Sequence, residues 1–472
     1  MRHQKRISLS EKASVAYVMA NLLSKGVNFI TIPIFTRLLS TSEMGITTTF
    51  GSWQTIIYAV FSLGLVSGSF NIAMVTYENR RDKYMSVSLM LSSVSSIIFL
   101  VLMIIFQNRW VTITSLPKST LWVMVLYLFL QPAMDFWFAR NRYENRYKSI
   151  FWVSVMSTVL SSFVSALAVF FSRRNNADFN LGIIKLAWQY GVLFVFAIIM
   201  YIIILAKGKC VWDREMVCFA LTLSFPLMVH SLAKNILDIS DRLMIANICG
   251  QSDAGIYGTV YTISLMALVI WNAINSALVP DMFENLKKNS FEDVEQKIYK
   301  LIKVFSMVSI IAVLLAPEII HLLTSEEYYS AVFIMPPLFA SVFLSSIYNI
   351  YGNFLLYKEK TVNIMFATLC AASFNIIANY IFIKSFGYTT AAYTTLISTI
   401  ILAVCQGIMQ KKVYDLQVIN HHKIIVMGIV GTLGCIFAPA LYRFNYIRFF
   451  LVVILGYKCI NEIRKVLFNS FG

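Results

Sequence analysis

Of the chain's 472 residues, 58% are Ala, Val, Ile, Leu, Met, Phe, Trp, Tyr or Cys, only 13% are charged, and the net charge is +16. A soluble domain carries roughly 25% charged residues, and one bilayer crossing takes about 20 apolar ones. The composition therefore excludes a soluble enzyme and supplies enough apolar residues for about fourteen crossings. No polar stretch is long enough for an anchored soluble domain. No Gly-rich loop ending in Lys-Ser/Thr occurs, so the chain does not hydrolyse ATP by itself.

Apolar runs lie at 15–37, 46–70, 84–106, 119–138, 150–172, 182–206, 216–237, 254–280, 301–323, 330–356, 362–383, 388–410, 424–442 and 446–467. The fold class expected is an all-α polytopic membrane protein of about fourteen transmembrane helices. The first run passes twenty residues without a small-x-small cleavage site and reads as a retained helix. It carries Asn21, Lys25 and Asn28 at i, i+4 and i+7, with Arg37 near its far end. The fourth run carries Gln131 and Asp135 at i, i+4. In the seventh, Lys234 and Asp238 share that spacing and Asp241 and Arg242 follow. Asn272 and Asn275 mark the eighth, Asn349 and Asn353 the tenth, and Asn375 and Asn379 the eleventh.

A charge at bilayer centre costs about 2.5–3.5 kcal/mol or more unless it is paired or hydrated. These residues have two readings. In one, they line a hydrated, cationic cavity chiefly on the first and seventh helices, where lysine and arginine meet an anionic group and asparagine meets sugar or water. In the other, Asp238 neutralises Lys234 within its own helix, the Asn pairs join helices, and the arginines snorkel.

Placement of the basic residues selects a topology. With the N-terminus cytoplasmic, 26 Lys and Arg fall in inside segments and nine outside, which puts both termini in the cytoplasm. The +16 is then topological information, and nucleic acid is not an expected partner. The most charged connection, Asp281 to Lys300, reads as a surface helix or a solvated linker. The seven cysteines are scattered without CxxC, so neither a metal site nor a disulfide framework is expected, nor any cofactor. Eight of the nine prolines lie in or at the ends of runs, a placement that membrane helices tolerate.

The turn Ser42-Glu43-Met44-Gly45-Ile46 returns 210 residues later as Ser252-Asp253-Ala254-Gly255-Ile256. That offset is close to the length of six spans with their loops. It suggests two pseudo-symmetric six-helix lobes, 1–210 (helices 1–6) and 211–415 (helices 7–12), followed by a C-terminal helix pair over 416–472.

The first-helix stretch KGVNFITIPIFTRLLSTSEMG, the middle segment LDISDRLMIANICGQSDAGIYGTVYTIS and the late block GNFLLYKEKTVNIMFATLCAASFNIIANYIFIKSFGYTTAAYTTLIS together resemble the Wzx-type polysaccharide-unit flippases. Tyr388-Thr389-Thr390 stands where that family often has a second glycine. The resemblance implies the multidrug/oligosaccharidyl-lipid/polysaccharide exporter superfamily. It also implies a non-enzymatic protein of the bacterial inner membrane that moves an undecaprenyl-pyrophosphate-linked oligosaccharide, an O-antigen or capsule repeat unit, to the periplasmic leaflet. Other polysaccharide-assembly membrane proteins are the partners it implies. By position, Lys25 and Arg37 belong to the first motif and Asp241 and Arg242 to the middle one, with Lys234 and Asp238 just before. Asn375 and Asn379 belong to the late block.

The candidate substrate-binding residues are thus Lys25, Asn21, Asn28, Arg37, Lys234 and Arg242. Asp238, Asp241 and Asp135 are ion-coupling or structural candidates. A drug or small-cation antiporter of the same superfamily would want an acidic cavity, and this face is net basic. A polysaccharide polymerase would want a long outside loop, and all outside loops here are short.

Overall fold

The computed structural model describes residues 9–175, 179–414 and 418–468, nearly all of them helical. Each of the fourteen apolar runs overlaps a long helix, and some extend past its end. Ten described helices are long and apolar enough to cross a membrane, or eleven when a bent pair counts as one span. The chain is a multi-pass membrane protein, and it divides into two units, 1–255 and 256–472.

The first unit holds α1 (Leu9–Leu38), α2 (Thr41–Phe61), α3 (Phe70–Thr76), α4 (Arg81–Ile105), α5 (Gln107–Thr114), α6 (Lys118–Tyr143), α7 (Tyr147–Arg174), α8 (Leu181–Gly208) and α9 (Arg214–Ile248). α8 packs against α2, α4, α6 and α7, α1 lies along α7, and α9 lies along α2. α9 opens the second lobe expected from pseudo-symmetry, and within the described contacts it packs in this first unit.

Local chemistry sets the ends of these helices. Ser40 and Glu43 form a reciprocal capping box at the start of α2, and Glu43 also accepts from the Leu181 N–H at 2.7 Å. One carboxylate thus satisfies orphan donors at two helix N-termini, where its charge also suits the helix dipoles. Arg173 does the converse for α1, donating to the carbonyls of Arg37 and Leu38 at 2.6 and 3.0 Å. The run expected over 46–70 is broken at Phe61. Leu63 and Gly64 take left-handed backbone there, and Ser69 turns its N–H to Ser224 Oγ of α9 at 3.1 Å. Gly68 lies so close to α9 that a Cβ would stand 2.6 Å from the Ser224 Cα.

The boundary between the units falls near the start of α10, which runs over Gln251–Lys287. The second unit continues with α11 (Phe291–Leu314), α12 (Ala316–Leu323), α13 (Met335–Tyr357), α14 (Thr361–Phe386), α15 (Thr390–Val413), α16 (His421–Phe437) and α17 (Asn445–Phe468). α13 is its centre, surrounded by α11, α14, α15 and α16, and nearly every residue from Met335 to Ile347 is buried. The charged connection over 281–300 is mostly helix: α10 runs on to Lys287 and α11 begins at Phe291. Asn289 in left-handed backbone makes the turn, and Lys297 Nζ reaches Asp281 at 2.8 Å. The run over 301–323 bends by 62° between α11 and α12, where Pro317 cannot continue the ladder. Arg448 is only 2% exposed. It donates to the Leu314 carbonyl at the end of α11 and pairs with Glu318 at 2.5 Å.

Candidate functional site

On α1, Lys25 and Asn28 are exposed, and among the described residues Lys25 has neither hydrogen bond nor ion pair. The side chain of Asn21 lies outside the described residues. The neighbouring Ser24 fastens this stretch to α7 through Ser154, hydroxyl to hydroxyl at 3.1 Å. Arg37 is exposed and turns back along its helix, donating to the Pro33 carbonyl at 3.0 Å.

On α9, Lys234 and Asp238 are exposed, whereas Asp241 is only 2% exposed. Arg242 draws the group together: its Nη2 donates to the Asp238 carbonyl at 3.1 Å and its Nε stands 3.9 Å from Asp241 Oδ1. The middle Asp-Arg motif is therefore compact, with the guanidinium folded onto its own helix and the preceding Lys234 left at the surface.

Asp135 belongs to a different cluster. Its carboxylate accepts from Tyr58 Oη of α2. One turn earlier on both helices, Gln54 Nε2 donates to Gln131 Oε1 at 2.9 Å, and Tyr190 Oη of α8 donates to Gln54 Oε1 at 2.7 Å. Both cross-helix pairs span 77 residues, so α2 and α6 run parallel and the contacts form two rungs one turn apart. Phe50 and Tyr127 pack against the Tyr190 ring. Gln131 and Asp135 stood out in the sequence as an i, i+4 pair. Their partners Gln54 and Tyr58 have the same spacing, a signal that could have paired the two helices.

Lys185, on α8, is a single lysine within an apolar run. Its ammonium sits 4.3 Å above the Phe35 ring and donates to Thr47 Oγ1 at 3.4 Å, with no ion pair among the described residues. Phe35 is ten residues on from Lys25, about 15 Å along α1. Lys25 on α1 and Lys185 on α8 thus sit at different depths along α1, neither with a carboxylate partner among the described residues.

The repeated turn proves to be a contact. Thr41 Oγ1 and Ser252 Oγ are 2.8 Å apart, Thr48 Oγ1 donates to the Ala254 carbonyl at 3.3 Å, and Thr49 Oγ1 donates to Gln251 Oε1 at 2.9 Å. A Cβ on Gly45 would fall 1.7 Å from the Gln251 carbonyl oxygen, and one on Gly255 would fall 2.0 Å from that of Thr41. Each copy of the motif keeps glycine because the other copy's backbone occupies the space.

In the second unit, Asn379 donates to Asn375 Oδ1 at 2.9 Å within α14 and accepts from Thr394 of α15. Asn353 of α13 donates to Asn275 of α10 at 2.8 Å. The Asn353–Asn275 and Thr394–Asn379 bonds join helices, and the Asn379–Asn375 bond lies within one. No group of three metal-ligating side chains occurs among the described residues.

Residues 11–286 match the family model described as polysaccharide biosynthesis protein. The chain belongs to the polysaccharide biosynthesis protein family. The match includes α1, the repeated turn and the α9 motif, the elements in which the candidate residues lie. Residues 226–381 also match the MatE model. A Haloferax volcanii protein named a probable low-salt glycan biosynthesis flippase, Agl15, is 22% identical over 401 residues, 82% of this chain and 80% of that one. The fold is that of the MOP superfamily. A structure of the lipid II flippase MurJ in an inward closed conformation covers 97% of this chain and 99% of its own at TM-score 0.71 and 14% identity. An inward-facing multidrug resistance MATE transporter of the MOP superfamily covers 84% and 98% at TM-score 0.60 and 13% identity.

Proposed function

We propose that this family member is a flippase that carries an undecaprenyl-pyrophosphate-linked oligosaccharide from the cytoplasmic to the periplasmic leaflet by alternating access. The observation that carries the reading is Lys25, an exposed cation without a partner among the described residues, on the first long helix of a polysaccharide biosynthesis protein. An unpaired ammonium away from bulk water attracts a pyrophosphate far more strongly than one in solution. Lys25, with Asn21, Asn28, Arg37, Lys234 and Arg242, would hold the head group and first sugars, while the prenyl tail stays in lipid. Asp135, Asp238 and Asp241 would answer to the driving ion. The reading includes fourteen crossings, both termini in the cytoplasm, lobes over 1–210 and 211–415, and the pair over 416–472. It places the protein in a bacterial inner membrane among other polysaccharide-assembly proteins.

The test replaces Lys25 by Ala and by Arg and measures surface polysaccharide at equal protein level. Loss in the Ala variant with recovery in the Arg variant is expected, and full function in the Ala variant would remove Lys25 from the path. The MatE match over 226–381 favours a second reading, an ion-coupled drug or small-molecule antiporter. A deletion strain separates the two. Lipid-linked units accumulating on the cytoplasmic face indicate the flippase, and unchanged glycan with raised drug sensitivity indicates the antiporter.

A further inference from the structure

The second unit carries a groove that the proposed transport residues do not touch. It runs between α15 and α16 over α13, with a cavity volume of about 470 Å³, inside the ~300–1,000 Å³ range of small-molecule sites. On its floor both flanking helices turn a glycine toward α13 and pack closely on it. A Cβ on Gly407 would stand 3.2 Å from the Tyr351 ring, and one on Gly428 would stand 3.2 Å from the Ile347 side chain. The walls are apolar and exposed, with Val404 and Ile408 on one side and Ile425 and Ile429 on the other.

One end has different chemistry. Lys411, in the last turn of α15, and His421, the first residue of α16, line it. His421 Nδ1 lies 3.4 Å from Tyr351 Oη, and the two rings are near-parallel with centroids 5.6 Å apart, so the imidazole is held in place. Lys412 and His422 adjoin this end in sequence, and neither Lys411 nor Lys412 has an ion-pair partner among the described residues. Among the described residues no carboxylate lines the groove. A slot that is hydrocarbon along its length and cationic at one end is complementary to a lipid with an apolar chain and an anionic head.

We propose that this groove seats an acyl chain of an anionic phospholipid, with the lipid's phosphate at Lys411 and His421. The acyl chain fills the gap between α15 and α16, and the phosphate pairs with the cationic end of the groove.

The test is native mass spectrometry of the full-length protein in detergent, titrated separately with phosphatidylglycerol, phosphatidylcholine, inorganic phosphate and undecaprenyl phosphate. One phosphatidylglycerol is expected to be retained about tenfold more than phosphatidylcholine, with no retention of inorganic phosphate. Retention should fall about fivefold in Lys411→Ala and recover in Lys411→Arg. It should be lost in Val404→Trp, whose indole occupies the groove from its exposed wall, while the melting temperature of the lipid-free protein is unchanged. Equal retention of the two phospholipids would overturn the proposal. So would retention unaltered in both variants, or displacement of phosphatidylglycerol by an equal concentration of undecaprenyl phosphate, which would give the groove to the transported lipid. A dimer that Val404→Trp dissociates would overturn it too, by making a second copy of the chain the occupant.

Discussion

Tyr58 of α2 donates its phenolic hydroxyl to the carboxylate of Asp135 on α6, one turn beyond the Gln54–Gln131 amide pair on the same two helices. An amide at position 135 keeps an acceptor for Tyr58 but cannot take up or release a proton. Asp135→Asn is expected to leave the melting temperature nearly unchanged and to abolish transport if Asp135 couples to an ion. Asp135→Ala leaves the hydroxyl without its acceptor and costs about 1–3 kcal/mol. Thermal unfolding alongside surface-polysaccharide complementation reads both, and full transport by Asp135→Asn would reduce the carboxylate to a structural post.

Lys185 offers a test with the opposite sign for stability. An ammonium in an apolar run without an ion-pair partner is retained against its desolvation cost, and the Phe35 ring offsets that cost by only about 0.5–2 kcal/mol. Lys185→Met is expected to unfold at an equal or higher temperature than the wild type while surface polysaccharide falls. A variant that loses stability instead would show that the lysine serves the fold.

The crossing of Gly45 and Gly255 predicts that neither position accepts a methyl group. A Cβ less than 3 Å from backbone cannot be relieved by a side-chain rotation, so the helices must part. Gly45→Ala or Gly255→Ala is expected to cost about 1–3 kcal/mol, seen as lower yield of folded protein. The hydroxyls of Thr41 and Ser252 lie close enough for a cross-link. A Thr41→Cys/Ser252→Cys pair in a Cys249→Ser background should oxidise readily, detected as a single band that stays joined after cleavage between the two positions. No cross-link under mild oxidant would contradict the contact.

Asp213, in the connection before α9, accepts from Lys83 at 2.6 Å and from the Met216 N–H at 3.2 Å. The Lys83 bond, then the helix N–H, hold its carboxyl below the ordinary carboxylate range. A lowered folded-state pKa stabilises the protein above the unfolded value of about 3.9, and that contribution is lost as pH falls through the lowered value. The melting temperature is expected to drop less between neutral and acid pH in Asp213→Asn than in the wild type. Parallel profiles for the two proteins would show that the pair does not contribute.

Much of the candidate site could be read along single helices. Lys25 and Asn28 share an exposed face, and Asp238, Asp241 and Arg242 form one compact group, because i, i+3 and i, i+4 neighbours meet on any α-helix. Residues whose role depends on a second helix were hidden. Tyr58 and Gln54 looked like ordinary members of α2 until α6 and α8 supplied their partners, and Lys185 was one lysine in an apolar run until Phe35 and Thr47 came beside it. Chain breaks were hidden for the same reason: the turn after Phe61 is decided by how closely α9 approaches Gly68.

The amino-acid sequence by itself determined that this is a helical membrane protein and where its helices lie, since a bilayer requires long apolar runs with internally satisfied backbone. It also determined the repeated turn and the resemblance to polysaccharide-unit flippases. Only the tertiary structure decided that the two copies of that turn lock together through Gly45 and Gly255, that Asp135 answers to Tyr58, and that α15 and α16 flank a groove ending at Lys411 and His421. Local spacing reports which side chains share a face, but what that face meets depends on packing between helices far apart in sequence.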